Sequence, residues 1–198
     1  MFRFVPSLTA VVLALLPTAV LAHTGVGETS GFAHGFMHPI GGLDHVLAMV
    51  AVGLFSAHLR GRALWLVPLA FVGMMAVGGA FVMAGIEVPL IEFGIGLSIV
   101  VLGAVIALRL DLPTIAAMAL VGFFAIFHGQ AHGAEMPETS SGLAYGIGFI
   151  LATSLLHGLG IGLGFLIGTA GQRSDRRIAQ VAGSAMAITG LAILGGAL

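Results

Sequence analysis

Two histidines and an aspartate, His38, Asp44 and His45, fall close together with Pro39, Gly41 and Gly42 between them, at the head of a long apolar run. Imidazole nitrogen and carboxylate oxygen together suit borderline divalent ions such as nickel, cobalt and zinc. An ionisable group in or at the edge of a bilayer is costly and marks a functional site by default. The stretch therefore reads as half of a metal site at the mouth of a path through a membrane. In one continuous helix His38 and His45 stand roughly 10 Å apart along the axis, too far for two bonds of about 2.1 Å to one ion. Proline removes a backbone donor and paired glycines permit non-helical backbone, so the expected entry is irregular or re-entrant, bending His38 back over Asp44 and His45.

The other half of the site is His128 and His132. Their spacing puts both on one helical face, about 6 Å apart along the axis, and Glu135 extends that face if the helix passes Gly133. Such a pair alone is more often structural than ligating. A second His/Asp cluster at the same membrane level tips the reading to ligation, with His38, Asp44, His45, His128 and His132 as metal ligands. Around them lies a wider set of metal-binding or supporting residues: His34 as a capture ligand or solvated loop residue, Glu92 as a partner that orients a ligating histidine, Glu135, and His157 in the middle of a later span. His132 is expected to assist capture, secondary to Asp44 and His45. His58, beside Arg60 and Arg62, reads as a loop residue with no metal role.

The elements that must hold these groups follow from composition. The 198 residues are 59% hydrophobic and 8% charged, where a soluble domain carries about a quarter charged residues, so the chain belongs to the integral membrane class. Net charge of −1 leaves no electrostatic footprint for nucleic acid. With no cysteine, disulfides, thiolate zinc sites and thiol catalysis are excluded together, and copper(I) is disfavoured, although nine methionines keep a thioether route open. The 31 glycines point to closely packed helices.

Residues 1–22 have the basic start, short apolar centre and small-residue end of a cleavable signal peptide. Cleavage there makes His23 the mature N-terminus, where its α-amine and imidazole could chelate one ion. Residues 23–198 form a single transmembrane domain, beginning with a polar segment at 23–37. Six spans follow at about 39–58, 63–84, 88–108, 112–130, 142–170 and 178–196, each near or above the roughly 20 residues a bilayer requires. Backbone groups in lipid must be satisfied internally, so the fold is expected to be all-α, a polytopic helix bundle. If the spans alternate, Arg60, Arg62, Arg109, Arg173, Arg176 and Arg177 share one side, and Glu28, Glu87, Glu135 and Glu138 the other. The positive-inside rule then puts the arginine loops in the cytoplasm of a bacterial inner membrane, with the mature N-terminus periplasmic. Gly142/Gly146 and Gly160/Gly164/Gly168 read as rows for close helix packing. Three spans and three more run in opposite senses, as in inverted-repeat transporters, but no sequence similarity links the halves.

The pattern His38-Pro39-x-x-Gly42-x-Asp44-His45 resembles the signature of the HupE/UreJ family of hydrogenase- and urease-accessory membrane proteins, and Phe127-His128-Gly129-x-Ala131-His132-Gly133 is similar to that family's second motif. The resemblance spans essentially the whole chain. It implies a permease for nickel, or sometimes cobalt, feeding metalloenzyme maturation, with His38, Asp44 and His45 essential. On this reading the chain is not an enzyme and holds no permanent cofactor. The Ni(2+) or Co(2+) ion is cargo, lipid is the surrounding partner, and a second copy or an accessory metallochaperone is a further partner. No nucleotide-binding loop is present, so transport is expected to be independent of ATP hydrolysis by this chain. A different class of reading is a membrane haem or redox protein with paired histidines as axial ligands. A weaker one is an intramembrane hydrolase using Ser154 and His157, for which no nucleophile motif exists.

Overall fold

The computed structural model describes residues 31–136, 142–169 and 172–197. The expected signal peptide, His23, Glu28 and Glu138 lie outside the described residues. Seven helices follow in order: α1 (Gly31–Gly41), α2 (Leu43–Leu59), α3 (Ala63–Met83), α4 (Ile91–Leu108), α5 (Thr114–Ala134), α6 (Gly142–Gly168) and α7 (Gln172–Leu194). No strand occurs among the described residues. Five of the helices are long and apolar enough to cross a membrane, and α1 with α2, bent by 82° at the break between them, passes the same test only as a pair, as a broken span or a re-entrant loop does. The chain is thus an all-helical multi-pass membrane protein. Large apolar side chains such as Trp65, Leu69, Met83, Ile115, Leu143 and Val181 stand exposed on its outside, as lipid contact requires.

The break falls at Gly42, whose backbone is extended (φ −105°, ψ 127°) between two helices. Part of the segment expected to be polar loop is therefore helix, because Gly31 to Gly41 carries enough apolar residues to pack on α6. Gly42 is needed for space rather than for its dihedral angles. A Cβ there would sit 2.6 Å from Asp44 Oδ1 and 2.9 Å from His45 Nδ1, in the place those two side chains use to meet. Asp44 also stands in the first turn of α2, where the helix dipole favours a negative charge.

Three helix pairs carry most of the packing: α2 with α6, α3 with α5, and α4 with α7. The first two run parallel and the third antiparallel. Small residues set their approach. A Cβ on Gly160 would strike the backbone of Val50 and Gly53, and one on Gly129 would strike the carbonyl of Met75. The expected Gly160/Gly164/Gly168 row does face α2 and its end. The Gly142/Gly146 row does not pack on a helix: nothing lies within 4 Å of a Cβ on Gly146, and Gly148 instead meets α1 at Phe32. Gly146 lines an open crevice of about 230 Å³ between α3, α5 and α6. Helix α5 continues past the expected end at 130 as far as Ala134, because Gly129 and Gly133 are held helical by contact with α3. Short links join successive helices, so the spans alternate. Arg60, Arg62, Arg109, Asp175 and Arg176 gather at one end, and Glu87, Glu92 and Glu135 at the other.

Candidate metal centre

The break between α1 and α2 and the last turns of α5 meet at the arginine-free end. His45 stands one residue past Asp44, and its Nδ1–H donates to Asp44 Oδ1 at 2.8 Å. That contact fixes the tautomer and leaves Nε2, which is buried and has no protein partner, with a free lone pair. His128 is oriented from another direction. Ser98 of α4 donates its hydroxyl proton to the Ile95 carbonyl at 2.6 Å, so its oxygen is left to accept from His128 Nε2–H at 3.2 Å. The Nδ1 of His128 is then the bare nitrogen, again buried without a partner. His132 has neither ring nitrogen hydrogen-bonded and lies on the other flank of His45. Its ring centre is 4.3 Å from that of His45, and His45 is 5.3 Å from His128.

One ring nitrogen from each of His45, His128 and His132 lies within 4.8 Å of the others. Ligand atoms bound at about 2.1 Å to a common ion stand about 3–4 Å apart, so small side-chain rotations close this set around one cation. A second set adjoins it. His38, His132 and Glu135 also bring ligand atoms within 4.8 Å of one another. His38 Nε2 is 2.8 Å from Glu135 Oε2, and His132 Nδ1 is 3.9 Å from the same oxygen. The two sets differ in depth: His128 and His132 are buried, whereas the Glu135 side chain is 57% exposed. His132 belongs to both, which makes it the hinge between a solvent-facing and an enclosed set of donors.

This geometry sharpens the sequence reading and departs from it in places. The chain bends as expected, but His38 does not fold onto His45. The two histidines approach His132 from different sides and belong to different triads. Asp44 sits behind His45, outside either triad, where it orients a ligand and adds negative charge. Glu135 stands inside the outer triad. His132, expected to be secondary, is central. His34 is exposed, 6.1 Å from His38 between ring centres, and outside both triads. Glu92 is exposed in the first turn of α4 and joins neither. His157 is buried beside Phe71 and is likewise outside the triads. His58 lies in the last turn of α2 rather than in a loop, 3.1 Å from Asp111 at the arginine-bearing end. Ser154 donates to the carbonyl of Ile150 and faces outward, whereas His157 is buried, so the two form no hydrolytic pair. Ser98 was not legible as a site residue. A lone serine in an apolar span carries no signal until its neighbour across the helix interface is known.

Aromatic rings wall the centre. Phe149 stands 4.1 Å from His132, and Tyr145 stands 6.1 Å from His38, measured between ring centres. Phe71 stands 5.5 Å from His128. The pairs His38/His132 and His45/His128 are packed edge to face rather than set opposite each other across a flat slot of the kind a porphyrin fills.

The comparisons with known proteins bear on the whole chain. Residues 11–193 match the family model described as HupE / UreJ protein. "Protein HupE" of Rhizobium leguminosarum bv. viciae is 45% identical over 189 residues, covering 95% of this chain and 96% of that protein. No solved structure matches. With both motifs in place around one histidine centre and the match running nearly end to end, the chain is a member of the HupE / UreJ family.

Proposed function

We propose that this protein carries a divalent transition-metal ion, nickel with cobalt as the nearest alternative, from the periplasm to the cytoplasm for metalloenzyme maturation, without hydrolysing ATP. The observation that carries the reading is the enclosed triad of His45, His128 and His132 at the broken span, with two of its imidazoles held so that a bare nitrogen is left on each. Three neutral nitrogens suit a borderline ion such as Ni(2+) or Co(2+) far better than magnesium or calcium, which take oxygen ligands. Family membership agrees with an accessory role in metal supply. On this reading His38, His132 and Glu135 receive the ion from solvent. Rotation of His132 hands it to His45 and His128, and Asp44 offsets its charge. The separation of arginines from loop glutamates supports an inner-membrane orientation with the histidine end outside.

Uptake of nickel by cells expressing the protein, with cobalt and zinc as competitors, tests the proposal. The parent should accumulate nickel, cobalt should compete, and His132→Ala should abolish uptake while the protein still reaches the membrane. Accumulation no greater than in cells without the protein would refute transport. Normal uptake by His132→Ala would refute the shared-ligand path.

A further inference from the structure

We propose that His157 is a second, deeper station on the metal path and that the Phe71 ring is the partition between it and the outer triad. This rests on the transport reading above. His157 is 2% exposed, and neither of its ring nitrogens has a hydrogen-bond partner. One helical turn away on the same helix, the Thr153 hydroxyl is fully buried and also has no acceptor or donor. A buried polar group left unpaired costs about 1–3 kcal/mol, so three such atoms together on one stretch of α6 call for a ligand that pays them back.

Their position says which ligand. The carbonyl of His157 abuts Gly53 of α2. Gly53 is eight residues past His45, about 12 Å further along the helix. His157 thus lies on the inward side of the triad, in the half of the bundle where no other histidine of the described residues is buried. Phe71 neighbours both levels. Its ring centre is 5.2 Å from His157 at 88°, and 5.5 Å from His128 at 54°. A single aromatic ring is therefore a close neighbour of both the innermost imidazole of the triad and the orphaned imidazole.

The chemistry of the deeper station differs from that of the triad in a useful way. One imidazole and one hydroxyl hold a divalent ion weakly, with water completing the shell. A conducting site must bind well enough to be entered and weakly enough to be left. The triad selects the ion, a swing of Phe71 uncovers the way, and His157 takes the ion from His128 and releases it inward. A histidine present only for packing would have its nitrogens satisfied or would be replaceable without loss of turnover.

The test separates binding from movement, using Ni(2+) on the full-length protein. In purified His157→Ala, nickel affinity should stay within about threefold of the parent, which also shows that the bundle is folded. In cells or vesicles, the maximal uptake rate of His157→Ala should fall at least tenfold with little change in the half-saturating concentration. Phe71→Leu, which keeps an apolar side chain of smaller girth, should change the maximal nickel uptake rate by at least about threefold with affinity little changed, and an unchanged rate overturns the role of Phe71 as partition. Uptake by His157→Ala within twofold of the parent overturns the proposal. So does loss of nickel binding in folded His157→Gln, because it would place His157 in the outer site. A parent that moves no divalent ion sinks the transport reading itself, whereas an active parent with an equally active His157→Ala sinks only this inference.

Discussion

Replacing Asp44 by asparagine isolates charge from shape at the metal centre. Asparagine can still accept the His45 Nδ1–H through its amide oxygen, so the 2.8 Å contact and the tautomer survive while the negative charge is lost. An ion bound on the far nitrogen of His45 stands about 6–7 Å from that carboxylate once the ring and a bond of about 2.1 Å are added. A unit charge at that distance attracts a doubly charged ion by about 5 kcal/mol at an effective dielectric of about 20. A quarter of the Asp44 side chain is exposed, so water screens part of this, and about 2–3 kcal/mol is the working figure. That corresponds to a roughly 30- to 150-fold weaker Kd, in line with the 10- to 100-fold typical of lost outer-shell partners. Nickel titration of the purified protein measures it directly. Asp44→Glu, which keeps the charge on a longer arm, should recover part of the loss. An Asp44→Asn protein that binds nickel within threefold of the parent would show that the carboxylate does not face the ion through His45, and the assignment of the enclosed triad would have to be abandoned.

Ser98→Ala removes the acceptor that orients His128 and should weaken nickel binding about tenfold; an unchanged Kd would mean that the contact does not set the ring. If the ion is bound by neutral imidazoles, protons compete with it, so nickel affinity should weaken and never tighten as pH is lowered, and a Kd that tightens on acidification would count against histidine ligation. His58→Ala, at the opposite end of α2, should leave nickel affinity and uptake within about twofold of the parent, and uptake as low as that of His132→Ala would shift the site inward. Gly129→Ala drives a methyl group into the Met75 carbonyl and should destabilise the bundle by about 1–3 kcal/mol, whereas Gly146→Ala meets nothing and should not, as thermal unfolding in detergent would show.

How much of this was legible in the chain depends on the kind of interaction. Hydropathy runs located the spans to within a few residues, since each must match the same slab of lipid and carries its own length signal. The bend was legible because proline and two glycines in four residues have few other uses in an apolar segment. Its consequence was not: the local sequence says that His38 leaves the axis of α2, but not that it arrives beside His132 and Glu135 on a helix far along the chain. The same limit applies to Asp44, which any reading by residue type assigns to the metal. Only the fold reveals that its oxygen is already engaged by its neighbour. Ser98 and Phe71 gain their roles wholly from what stands opposite them, through contacts between α4 and α5 and between α3 and α6 that no periodicity encodes.

The three tight pairings in the bundle have a property beyond their compactness. As a set they are unchanged when α2, α3 and α4 trade places with α5, α6 and α7: the parallel pair α2–α6 becomes the parallel pair α5–α3, and α4–α7 maps onto itself. The looser contacts do not obey the same exchange. Helix α2 lies against both α3 and α4, whereas the backbones of α5 and α6 stand apart across the crevice that His132 lines, and α5 does not meet α7. The link from α2 to α3 lies at the arginine-bearing end, and the link from α5 to α6 at the histidine end. Exchanging the two sets of loose contacts would therefore draw α5 and α6 together over the triad and part α2 from α3 beside Phe71. Every glycine-lined crossing would keep its partner, and the open end of the molecule would change from one face of the membrane to the other.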